Sequence, residues 1–131
     1  MLEQLAHALQ EADAAAVVGV MAEDVTLHVA VHDQAICGRP AASHVLGAVL
    51  DGVLHDIEVT ETIEGAGPSV LMFRARVADH PGRAAGLLVV RSDGNSRISD
   101  LTVFVRPLAA LQALAEEMRR RLGGVRPDGN P

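Results

Sequence analysis

The sequence predicts an α+β fold in which helices lie on one face of a bent, mostly antiparallel sheet. Three observations carry this reading. The first 22 residues follow a helical period, a period-2 alternation starts at Val25, and four long alternating runs between His55 and Val105 are separated by Gly, Pro and Asn turns. With 131 residues the chain is sized for one domain, and folding at this length buries about two thirds of the unfolded surface. One core is therefore expected over residues 1–122, with the Gly/Pro-rich stretch 123–131 as a flexible tail.

Leu2, Leu5, Ala6 and Leu9, then Ala16, Val17 and Val20, recur at helical spacing with a break near Glu11 to Asp13, so two short antiparallel helices are predicted. Val25, Leu27, Val29 and Val31 alternate with Thr26, His28, Ala30 and His32, which predicts a strand with one buried face. Gly38-Arg39-Pro40 punctuates the chain, and Pro40 suits the first turn of a helix running through Val45, Leu46, Val49, Leu50 and Val53. Four strands follow, over Ile57–Ile63, Val70–Val77, Ala84–Arg91 and Ile98–Val105, turned at Gly65 to Pro68, His80-Pro81-Gly82 and Ser92 to Asn95. Pro107 ends the last strand and opens a helix through Leu108, Leu111, Leu114, Ala115, Met118 and Leu122.

Composition removes several functions. All 11 basic residues are arginine, and without lysine the chain cannot form a Schiff base, hold pyridoxal phosphate covalently or complete a GxxxxGK[ST] phosphate loop. No tyrosine is present to donate a phenolic hydrogen bond to an oxyanion. A net charge of −6 argues against nucleic acid as a partner, because phosphate contacts need a basic face. Cys37 stands alone, which excludes a disulfide framework and suits a reducing compartment. No signal-peptide pattern and no 18-residue apolar run is visible, so a cytoplasmic protein without membrane contact is expected.

The order of elements and three stretches, MAEDVTLHVAV (Met21 to Val31), CGRPAASHVLGAVL (Cys37 to Leu50) and SDGNSRISDLTVFVRPLAALQALAEEM (Ser92 to Met118), resemble the nuclear transport factor two-like superfamily. Within it the chain is similar to the SnoaL-like and ketosteroid-isomerase-like bacterial members. The resemblance covers residues 2 to 122. It implies a cone-shaped barrel with the amino-terminal helices on the concave face of the sheet, a carboxy-terminal helix, a deep apolar pocket, and frequent dimerisation through the outer sheet face. A ketosteroid-isomerase-like mechanism needs a carboxylate base and donors for an enolate oxygen. The resemblance puts that base at Val29 and the two donors at Leu5 and Leu88, so all three roles are vacant. The acid and the Arg-x-Asp pair of the similar limonene epoxide hydrolase fall on Val103, Ala75 and Val77, and are vacant as well.

Strand alternation then sorts the charges by face. With Phe73, Ala75 and Val77 inward, Arg74 and Arg76 point out; with Leu101, Val103 and Val105 inward, Asp100, Thr102 and Phe104 point out. Arg74, Arg76, Asp100 and Phe104 therefore read as an ion-paired outer face suited to a homodimer, in preference to a catalytic set. The six histidines show no metal-binding spacing, and His28 and His32, on one strand face, would lie about 13 Å apart at 3.3 Å per residue. No metal and no cofactor are expected. Three groups remain as candidate acids or bases. His32 beside Asp33 could pair at the pocket mouth if the chain turns there, and Glu61 shares the inward face of Ile57 and Val59, at a solvated rim or buried as a base. Cys37 and Gly65-x-Gly67 read as packing and as a hairpin turn.

The cavity expected from this sorting is walled by Leu5, Val29 and Leu46 from the first half of the chain. The sheet adds Phe73, Ala75, Leu88, Leu101, Val103 and Val105. A wall so short of polar groups selects for size and apolarity and offers little to a transition state. The expected function is binding of an apolar small molecule, with weak isomerase, cyclase or hydratase activity open if Glu61, His32 or Asp33 reaches the cavity. The alternative is a non-catalytic dimerisation module whose cavity is filled.

Overall fold

In the computed structural model, residues 1–122 are described; the expected tail at 123–131 lies outside them. Helix α1 (Leu2–Gln10) buries Leu2, Leu5, Ala8 and Leu9, the one-sided stripe that its period foretold. It stops where Ala12 adopts a left-handed conformation, and the Asp13 carboxylate accepts the Ala16 N–H at 3.1 Å to cap α2 (Ala14–Gly19). Strand β1 (Met21–His28) follows. It is three residues shorter than the alternation through Val31 suggests, because the two-residue β2 (Ile36–Cys37) folds back antiparallel onto Thr26 and Leu27, and the chain must reverse between them. Helix α3 (Arg39–Ala48) starts after Gly38, whose φ of 90° only glycine takes readily, with Pro40 in its first turn. The helix expected to reach Val53 widens at Val49–Val53 and leaves helical geometry at Asp51 and Gly52.

Strands β3 (Leu54–Ile63), β4 (Ser69–Val77), β5 (Ala84–Ser92) and β6 (Ile98–Arg106) form a meander, and α4 (Leu108–Arg121) follows Pro107. The six strands make one curved sheet in the order β2-β1-β6-β5-β4-β3, antiparallel except for β1 against β6. This is the expected α+β architecture. The sheet stays open, with β2 and β3 as its edges, and helices complete the cone: α1 packs on β3 and β4, α3 on β1, and α4 on β6 and β4. Between helices and sheet lies one apolar cluster in which Leu5, Met21, Leu27, Leu71, Ile98 and Leu101 are fully buried. Each such side chain contributes about 1.5–3 kcal/mol relative to exposure.

Facing along β3 departs from simple alternation. Two register shifts interrupt its pairing with β4, at His55/Glu58 and at Val59/Glu61. The first accommodates Asp56 at φ 51° and keeps Ile57 and Val59 inward, Val59 lying opposite the buried Phe73. The second inserts Thr60, so that Glu61 lies opposite Met72 and Thr62 opposite the buried Leu71.

Candidate functional site

A cavity of about 460 Å³ opens between the concave face of the sheet and the helices. Its floor and walls are aliphatic. Leu27 and Leu101, adjacent in the parallel β1–β6 pair, point up into it; Val103 and its β5 partner Leu88, and Phe73 on β4, extend the wall. Leu5 and Leu9 come from α1, Leu46 from α3, and Leu114 and Met118 from α4. The single phenyl ring on the wall, Phe73, is positioned by Gly86: a Cβ there would lie 2.5 Å from Phe73 Cζ and 2.6 Å from the Phe104 carbonyl oxygen. Only glycine leaves room for that ring against β5.

Of the nine wall residues expected from the sequence, seven line the cavity: Leu5, Val29, Leu46, Phe73, Leu88, Leu101 and Val103. Ala75 and Val105 do not. Both face inward, but at the end of the sheet where Ala75 pairs with Ala84 and Val105 with Gly86, and the Phe73 ring fills the space in front of Gly86. Val29 reaches the wall from the turn after β1 and not from a strand.

The three candidate acids and bases separate. His32 lines the cavity, since the chain turns at Ala30 and Val31 and carries it over the rim. Asp33, exposed in the same turn, does not line it. Glu61 is on the outer, solvated side: the extra residue Thr60 reverses the facing that alternation from Ile57 assigns it. The expectation that His28 and His32 share a strand face fails because β1 ends at His28. His28 Nε2 meets Asp100 Oδ2 at 3.1 Å on the outer face, a half-buried bridge between β1 and β6.

Nor do Arg74, Arg76 and Asp100 converge. Arg76 Nε lies 3.7 Å from Asp56 Oδ2, whose carboxylate also meets His55 Nδ1 at 3.4 Å; Arg74 stands opposite Glu58 in register; Asp100 belongs to His28. These are separate pairs on the outside of the sheet. Phe104, 53% exposed, shares that face with its cross-strand neighbour Leu87 and with Met72 beyond it.

Two polar wall residues escaped the sequence reading, His44 and Arg119. Their signal was helical spacing. Ala41, His44, Val45 and Ala48 form one i, i+3, i+4, i+7 stripe of α3, and Ala115, Met118, Arg119 and Leu122 follow the same spacing along α4 and its C-cap. Among the described residues, 26 of which line the cavity, His44, Arg119 and His32 are the only polar side chains on the wall. No carboxylate, hydroxyl or amide side chain lines it, and no metal-binding cluster occurs among the described residues. No described helix is long and apolar enough to cross a membrane.

No protein-family model matches the sequence, and no curated protein matches it. Solved structures do. The chain is similar to a steroid delta-isomerase from Pseudomonas aeruginosa, with 31% identity, TM-score 0.83, and coverage of 93% of this chain and 88% of that one. It superposes on an uncharacterised bacterial protein with a cystatin-like fold from Silicibacter pomeroyi (21% identity, TM-score 0.85, 93% and 84% covered). A protein described as a SnoaL-like polyketide cyclase, from a Jannaschia species, shares the fold at 15% identity and TM-score 0.70, with 87% and 88% covered.

Proposed function

This chain belongs to the nuclear transport factor two-like superfamily, among its SnoaL-like and ketosteroid-isomerase-like members, and from that premise we propose that it binds an apolar small molecule in its cavity. The carrying observation is the wall itself. The positions where the resemblance puts a general base and two oxyanion donors, Val29, Leu5 and Leu88, all line the cavity, and all are aliphatic. Such a wall holds a ligand by burial of its apolar surface, about 25 cal/mol per Å², and gives a developing negative charge nothing to lean on. Binding is thus favoured over turnover. His32 is the one expected acid–base candidate in contact with the cavity, and it limits any isomerase, cyclase or hydratase activity to weak proton transfer at the rim.

A homodimer formed through the outer sheet face is a second part of this reading, favoured by the exposed Phe104 in a cross-strand row with Leu87 and Met72. A lone cysteine and a net charge of −6 fit a cytoplasmic setting without nucleic acid or membrane as partner. A thermal-shift screen of steroids, terpenoids and polyketide-like aromatics tests the binding claim, because a ligand that binds only the folded state raises the melting temperature. Leu88→Arg, which fills the cavity with a charge, should abolish the shift for any hit. A shift that survives this substitution places the ligand elsewhere and ends the reading.

A further inference from the structure

We propose that the cavity takes an amphiphile, an apolar body with a single carboxylate, the body inside and the acid at the mouth on Arg119, His44 and His32; this rests on the reading of the cavity as a ligand site. His32, His44 and Arg119 both line the cavity and are solvent-exposed, which puts them at its opening, whereas Leu5, Leu27 and Leu101 are buried at its base. The polar part of the described lining is thus solvent-facing, and its buried base is aliphatic.

Their chemistry is one-sided as well. Acidic residues outnumber arginines 17 to 11 in the chain, yet among the described residues none lines the cavity, while the three polar wall residues there carry ring or guanidinium nitrogens. A neutral ligand bearing a carbonyl or hydroxyl would need no such selection, and a cationic one would be repelled by Arg119. The neighbours on α4 underline the point. Glu117 engages Arg120 at 3.3 Å and Arg121 at 3.2 Å, and Arg121 also reaches the Asp51 carbonyl oxygen at 2.6 Å. Arg119 makes no ion pair among the described residues. Its planar fork matches a carboxylate with two parallel N–H···O bonds, and each imidazole can add an N–H donor.

Isothermal titration with two matched pairs tests this: decanoate against decan-1-ol, and lithocholate against its methyl ester. Charge-assisted hydrogen bonds at a partly solvated rim should make the acid bind about tenfold more tightly than its neutral partner at neutral pH. In Arg119→Gln that ratio should fall several-fold because the acid loses more affinity than its neutral partner, and Arg119→Glu should lower it further. Equal affinities of acid and neutral partner in the unsubstituted protein, or an equal loss of both in Arg119→Gln, overturn the head-group assignment and leave the apolar cavity standing. Failure of all four compounds to bind overturns both.

Discussion

Leu71 and Leu88 sit on neighbouring strands, opposite each other in register, and one of them borders open space. Leu71 is fully buried and away from the cavity; Leu88 is 6% exposed and forms part of its wall. Truncating Leu71 to Ala removes packed contacts on every side and should cost about 3–4 kcal/mol, within the range for buried leucines. Leu88→Ala should cost about half as much, since the cavity side of Leu88 has few partner atoms to lose. Chemical denaturation of the two variants checks the order; equal losses would mean that the cavity is closed in solution. Gly86 acts at the same scale. By making room for the Phe73 ring it fixes where the wall ends, and it keeps Ala75 and Val105 off that wall.

At the scale of the element, the four helices, the long strands and the turn positions were legible, because each rests on a local period or a turn residue. What was not legible is a matter of counting. One unpaired residue, Thr60, reverses every side chain beyond it on β3 and moves Glu61 from the expected inward face to solvent, and nothing in the residue types marks a bulge there. The end of β1 was hidden for another reason: Val29 and Val31 continue the alternation, while the reversal is set by tertiary pairing of β2 with Thr26 and Leu27. His44 and Arg119 were readable in principle, being on period, and were passed over because polar residues inside an apolar stripe resemble interruptions. The β5–β6 turn gives a pH prediction. Asp93 Oδ1 accepts the Arg97 N–H at 3.0 Å and the Asn95 N–H at 2.8 Å, and these bonds hold its carboxyl below the ordinary value of 3.8. A depressed pKa gives stability that is present above the unfolded value and lost as pH falls through the folded one. The stability difference between the unsubstituted protein and Asp93→Ala should therefore be constant near neutrality and shrink below pH 3.8, as followed by thermal melts in acid.

At the scale of the whole molecule, an open sheet has two edges to protect. β2 is only two residues long, and β3 is bulged twice, rich in carboxylates, and donates the Val59 N–H to Gln10 Oε1 at 2.9 Å, so neither edge invites another strand. That is consistent with the proposed association through the sheet's face, and not edge to edge. Sedimentation at micromolar concentration should show a dimer, and Phe104→Arg should shift it to monomer by burying an unpaired charge in the contact. A monomeric unsubstituted protein would remove the interface from the proposed function.

The make-up of the cavity wall also has an optical consequence. Phe73 is the one phenyl ring on the cavity wall, and the chain holds neither tryptophan nor tyrosine, so the polypeptide is almost transparent in the near ultraviolet. Any conjugated guest carried through purification would stand out as a band that the polypeptide cannot supply, and circular dichroism in that band would report the handedness of its confinement without label, dye or added chromophore.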